Sequence, residues 1–184
     1  MSKWAEAAAK MSGAEVRRRI FRETAPEEAI AQNDAWKDFY NNIGKNETPA
    51  ELDDLEWADA IVFCVPTRYG NLPGQAAAFI DTTGGLWFNG KLANKLVTGI
   101  TSAQNPHGGQ ESTLMTLYKT MMHWGAIAIP TGYTDKSIFA AGGNPCGTSA
   151  TVDGTGEIQN PDAIEAAIKH QVKRLADIAK KMIG

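Results

Sequence analysis

Cysteine is scarce: Cys64 and Cys146 are the two in 184 residues. One falls in a strand-like run and the other in a glycine-rich loop, a separation that argues against a disulfide framework. Histidine is nearly as sparse. His107, His123 and His170 contain no H-E-x-x-H pair, and no group of His, Cys and carboxylates has ligand spacing, so no metal site is expected. Long apolar runs are missing too. None approaches the ~20 residues of a membrane-spanning helix, and the start "MSKWAEAAAKMSGAEV" has no signal-peptide core, so a cytoplasmic protein is expected. The sequon "NET" at Asn46 therefore lacks a secretory context.

Charge excess is absent as well. Eighteen basic and 21 acidic residues give a net charge of −3, and the pI is near 5.6. Such a chain has no general attraction for nucleic acid or an anionic membrane, and neither is expected as a partner. No internal repeat, low-complexity segment or G-x-S-x-G elbow occurs. "GGLWFNGKL" approaches the phosphate-binding G-x-x-x-x-G-K-[ST] pattern, but Leu92 stands where a magnesium-binding hydroxyl is required.

What remains is an ordinary globular composition, 43% hydrophobic and 21% charged, at a length suited to one domain over 1–184. Trp4, Ala8 and Met11 share one face of a helix over Ser2–Met11 that Gly13 stops. "AEVRRRIF" reads as an edge strand whose arginines discourage pairing with other chains. A helical pattern follows from Pro26 to about Asn42, then a short acidic turn. Ala60–Val65 is apolar on both sides, as a parallel strand in mid-sheet would be.

From there the pattern alternates. A helix over "GQAAAFIDTTG" precedes a strand over "KLVTGIT", and a helix over Glu111–Trp124 precedes a strand over "AIAIP". That order predicts an α/β fold with a doubly wound parallel sheet and right-handed crossovers. The residues from Asp135 to Asn160 show no apolar period and read as a long functional or interface loop. The last helix is the clearest: Asn160 caps, Pro161 opens it, and Ile164, Ile168, Val172, Leu175 and Ala179 form one stripe.

In such sheets ligands bind beyond the carboxyl ends of the strands. Two loops qualify: "PTRYGN" after Val65 and "SAQNPHGGQ" after Thr101. Both are polar, both contain glycine, and both lie on the same rim, which suits a planar, hydrogen-bonding cofactor better than a metal. The residues "PTRYGNLPGQAAAFIDTTGGLW", "GGQESTLMTLYKTMMHWGAIAIPTGYTD" and "GGNPCGTSAT" resemble the WrbA-type NAD(P)H:quinone oxidoreductases, flavodoxin-like FMN enzymes that assemble as tetramers.

That resemblance implies a site. Pro66, Thr67, Arg68, Tyr69, Gly70 and Asn71 would cradle the flavin ring, and Ser102, Ala103, Gln104, Asn105 and Gly108 would meet its polar edge. His123 would reach the flavin from a neighbouring helix end, and Trp87 would line the pocket for nicotinamide and quinone. FMN is the implied cofactor and NAD(P)H the donor, with hydride transfer to a quinone in a ping-pong cycle, in a homotetramer whose subunit boundary lies near His123 or Trp87.

The residues also admit plainer readings. Trp87 can be a packing tryptophan, His123 a hydrogen-bonded structural residue, Cys64 a small buried hydrophobe, and Leu114, Leu117 and Met121 a core or subunit contact.

The resemblance departs from pattern at one end. Flavodoxin-like chains, with strand order 2-1-3-4-5, open with a strand and a phosphate-binding loop, and residue 1 falls inside the helix that follows them. The first strand is therefore expected to be missing, leaving a gap of ~9–10 Å beside Ala60–Val65. Two other functions compete on that ground: a cofactor-free flavodoxin-like scaffold acting through its oligomeric surface, and a single-electron carrier, for which a more acidic chain is expected.

Overall fold

The computed structural model describes residues 1–183. Helix α1, Ser2–Met11, has the bounds the apolar spacing predicts, and Gly13 turns the chain away at a φ of +79°. The next stretch is not the predicted edge strand. Residues 14–21 run extended and make one parallel bridge, Ile20 with Pro49. Their arginines are spent on ion pairs instead. Arg18 binds Glu6 at 2.9 Å and Glu47 at 2.6 Å, Arg19 binds Asp54 at 2.8 Å, and Arg17 lies 4.1 Å over the Trp57 ring.

Short helices follow: α2 at Glu27–Ile30, α3 at Asp34–Asn42 with Asn33 capping the Trp36 amide, and α4 at Leu52–Trp57 closed by a Glu51/Asp54 capping box. Then the sheet begins. Strand β1, Ala60–Pro66, pairs parallel with β2, Leu96–Ala103, and between them lie α5, Gly74–Asp81, and α6, Gly84–Phe88. Helix α7, Gln110–His123, leads to β3, Ile127–Ala128; α8, Lys136–Ala140, and β4, Ser149–Thr151, come before α9, Pro161–Ile183.

The central strand is β2, not β1. Among the described residues β1 pairs only with β2, so its other edge has no neighbouring strand, and residues 14–21, expected one strand further out, make no ladder. Phe21 stacks on Phe63 of β1 with ring centroids 6.3 Å apart, joining the core on that face of the sheet. On its other side β2 meets two short strands in succession, β3 at Leu96–Val97 and β4 at Thr101–Ala103. The predicted loop from Asp135 to Asn160 thus contains a helix and a strand, both too short for periodicity to reveal.

Alternation along β2 sends its residues to two cores. Ile100 faces Ala5 and Ala8 of α1 and Ile164, Ile168 and Val172 of α9. Val97 faces Leu117 and Met121 of α7, with Phe63 and Trp124. Helices therefore cover both faces, the doubly wound arrangement the sequence predicts. Gly99 lets α7 approach closely: a Cβ there would lie 2.6 Å from Leu114 Cδ2 and 2.9 Å from Leu117 Cδ2.

Candidate active site

The two loops leave the sheet side by side. Pro66 and Ser102 are register partners, and the Thr67 amide donates to the Ser102 carbonyl at 2.9 Å. The ladder carries β2 two residues further than its apolar run suggests, so Ser102 and Ala103 are strand residues paired with Ala150 and Thr151 rather than loop.

After Thr67 the chain reverses at once. Arg68 and Asn71 exchange amide-to-carbonyl bonds of 2.9 Å each, with Tyr69 and Gly70 at the corner at φ +52° and +75°. This is the left-handed hairpin turn that normally selects Asn or Gly at both central positions. Tyr69 occupies one of them with its side chain fully exposed. A bulky residue held there is strained by about 1–2 kcal/mol, and such strain concentrates at functional sites.

The second loop is organised by Asn105. Its side-chain oxygen accepts from the His107 amide at 3.0 Å, and its carbonyl accepts from Gly108 N at 3.2 Å and Gln110 Nε2 at 2.7 Å. The loops then interlock. Gly109, at φ +90°, lies so close to the hairpin that a Cβ would sit 2.6 Å from the Gly70 Cα. Thr67 and Thr113 join hydroxyls at 2.6 Å beneath this contact, and the Ser112 hydroxyl donates to the Gly70 carbonyl.

The rim this builds has free donors, and its two loops carry no acid. Within the two loops the amides of Tyr69, Gly70, Gln104 and Asn105 donate to no group among the described residues. Neither "PTRYGNLP" nor "SAQNPHGGQ" contains a carboxylate, while Arg68 brings a guanidinium and His107 an imidazole. Unspent amides beside a positively biased surface suit a flat ring that gains negative charge on reduction. The donor set therefore fits a flavin ring.

No thiol competes for the chemistry. Burial pushes the Cys64 thiol up to about 11 despite the opposing pull of the chain's amino terminus. Burial, then the charge of Glu111, also raises Cys146. Among the described residues no group of three His, Cys, Asp or Glu could hold a metal ion, and no helix is long and apolar enough to cross a membrane.

Two of the expected site residues lie elsewhere in the chain. His123 closes α7 at the end opposite Gly109, one helix length of roughly 20 Å away. Trp87 belongs to α6 and is exposed. The segment after α6 packs at that same far end, where the Asn94 amide donates to the Gly125 carbonyl at 2.9 Å and Leu92 joins Met121 and Trp124. Pro66, Thr67, Arg68, Tyr69, Gly70, Asn71, Ser102, Ala103, Gln104, Asn105 and Gly108 are gathered on one rim; His123 and Trp87 are not. Ser112 and Thr113, which bind the loops together, were readable only as a polar pair opening an apolar helix.

The fold and the rim together define a flavodoxin-like α/β protein. The family model described as NADPH-dependent FMN reductase matches residues 1–137, and the chain belongs to that family. A protein of Deinococcus radiodurans named NAD(P)H dehydrogenase (quinone) is 50% identical over 184 residues, all of this chain and 90% of its own. Among solved structures, the flavodoxin, WrbA-like protein from Agrobacterium tumefaciens superposes with a TM-score of 0.60 at 20% identity, covering 98% of this chain and 90% of the other. A flavone reductase gives a TM-score of 0.56 at 17% identity over 98% of this chain and 58% of its own. At such identities the structures speak for the fold alone.

Proposed function

We propose that this protein is an FMN-dependent NAD(P)H:quinone oxidoreductase of the WrbA type. The observation that carries the reading is the pair of interlocked loops on the carboxyl rim of β1 and β2, with unspent amides and no carboxylate. The family match and the name of the 50% identical relative support it. They also weigh against a cofactor-free scaffold.

FMN, when bound, supplies the two-electron hydride chemistry. The protein's part is positioning and charge. Pro66, Thr67 and the Arg68–Asn71 turn would hold the ring from one side, the amides of Tyr69 and Gly70 having no acceptor among the described residues. Ser102 and Ala103 lie beside that turn at the end of β2, and the amides of Gln104 and Asn105 would be the donors available to the ring's polar edge, with Gly108 holding their loop through the Asn105 carbonyl. Arg68, exposed beside the turn, adds positive charge where negative charge develops. With FMN held there, nicotinamide and quinone would react with it in turn, the basis of a ping-pong cycle.

His123 lies at the other end of α7 and Trp87 is exposed on α6, so a role for either at that rim would come from a second copy. A homotetramer that sets the far end of one copy against the rim of another supplies it. The expected location is the cytoplasm, where reduced nicotinamide nucleotide is available.

The test is direct. The purified protein is mixed with FMN, desalted, and its visible spectrum recorded; NADPH and NADH oxidation with benzoquinone is then followed. Retained flavin and quinone-dependent turnover are expected. Colourless protein without turnover overturns the reading, and retained flavin without NAD(P)H turnover points to an electron carrier.

A further inference from the structure

One buried hydroxyl joins the three segments that shape the rim. Thr113, in the first turn of α7, is wholly buried. Its Oγ1 lies 2.6 Å from Thr67 Oγ1, 2.9 Å from the Gly109 carbonyl and 3.4 Å from the Asn71 carbonyl. A hydroxyl carries a single proton, so these contacts cannot all be donations. The short distance to Gly109 takes the Thr113 proton. The 2.6 Å contact then makes Thr67 the donor and Thr113 the acceptor, because the other acceptors open to Thr67, the carbonyls of Gly108 and Gly109, are 3.4 and 3.5 Å away.

We infer that Thr113 is a positioning residue: the relay from Thr67 through Thr113 to Gly109 locks the two loops against each other and thereby fixes how their unspent amides are presented to a flat ring. The inference rests on the flavin reading proposed above. Thr113 itself touches neither ring nor substrate, since it is buried beneath the loops it joins. Its effect passes through Thr67 on one side and Gly109 on the other. In a buried network each member orients the next, and a binding surface held in its final arrangement loses less freedom when the ligand arrives.

The neighbouring contacts agree with this role. Ser112 Oγ donates to the Gly70 carbonyl from the same helical turn, so α7 grips the hairpin at two points. Gly109 and Gly70 pack backbone to backbone, leaving no slack for the loops to move independently. The relay is the polar element of that lock, and no charged side chain takes part in it.

The variants T113V and T113S separate the hydroxyl from the packing, since valine keeps the shape and serine keeps the oxygen. Amide hydrogen exchange of the FMN-free proteins is the first readout. In T113V the amides of Thr67, Arg68, Asn71 and Gly108 are expected to exchange roughly tenfold faster, with α9 unchanged, as one lost buried hydrogen bond would cause. The second readout is FMN affinity by fluorescence quenching, expected to fall roughly tenfold in T113V. T113S should restore both.

Unchanged exchange and affinity in T113V overturn the inference. So does an equal loss in T113V and T113S, or faster exchange throughout T113V, since each assigns Thr113 to packing. A wild-type protein that binds no FMN overturns the function reading instead, and the exchange comparison, made without FMN, still decides the relay.

Discussion

Tyr118 and Gln171 reach Gly99 from opposite faces of the sheet. The Gly99 amide donates to the Tyr118 hydroxyl at 3.1 Å, and the Gly99 carbonyl accepts from Gln171 Nε2 at 2.7 Å. The reason lies in the split edge of β2: β3 pairs at Leu96–Val97 and β4 at Thr101–Ala103, so Gly99 falls between them with no strand opposite. Two side chains make the bonds a continuous strand would make. Buried backbone groups tolerate no other outcome.

Gln171 does more than fill this gap. Its Nε2 also donates to Thr98 Oγ1 at 2.7 Å, and its Oε1 accepts from the Thr148 amide at 2.8 Å. Q171L leaves three buried groups without partners and should lower stability by roughly 2–4 kcal/mol. Y118F removes the donor to the Cys146 carbonyl and should cost about 1–2 kcal/mol. Urea unfolding of both variants measures this; a Q171L midpoint equal to wild type would falsify the assignment.

Gly109 meets Gly70 where no side chain fits. With a Cβ at 2.6 Å from the Gly70 Cα and a φ of +90°, G109A must push the hairpin away from the helix start. The two penalties, a contact in the backbone and a conformation alanine avoids, sum to roughly 2–4 kcal/mol. Thermal unfolding and FMN titration should both register it. Unaltered flavin affinity in a folded G109A would detach this contact from the rim.

Tyr69 makes the opposite prediction. Asparagine is suited to φ +52°, and Y69N relieves strain of about 1 kcal/mol while removing an exposed ring from the rim. The variant should unfold at a higher temperature than wild type and bind FMN more weakly. A stability gain with full affinity would mean that the ring of Tyr69 does not contact the cofactor.

Much of this architecture was legible in the order of residues. Periodicity placed α1 to the residue and α9 by its stripe, and the breaks after Val65 and Thr101 located the two loops. Tertiary pairing decided the rest. Residues 14–21 have strand composition, yet their three arginines find carboxylates on α1, α4 and Glu47 and the backbone finds no ladder. β4 spans three residues and exists only because Thr101 lies opposite Ser149. Gln171 was the overlooked signal: a polar residue three places after Ile168 sits on the core-facing stripe, where only a fully bonded side chain is tolerated.

Glu23 ties the excursion of α2 and α3 to the sheet layer, and its protonation should release it. One carboxylate oxygen accepts from the Thr24 amide at 2.8 Å, the Ala25 amide at 3.0 Å and Gln75 Nε2 of α5 at 2.7 Å; the other accepts from the Trp36 indole of α3 at 3.1 Å. Burial alone would raise the Glu23 pKa, but the hydrogen bonds from Ala25, Gln75, Thr24 and Trp36 outweigh it and hold the carboxyl below its ordinary 4.5. A group with a lowered folded pKa gives its full stabilisation above the unfolded value and loses it as pH falls through the folded one. The docking of α3 is therefore intact above pH 4.5 and weakens on acidification below it. The Trp36 indole N–H resonance should move in that window in wild type and stay constant in E23Q, whose amide does not titrate. An indole signal that ignores acid in wild type would show that Glu23 does not anchor α3.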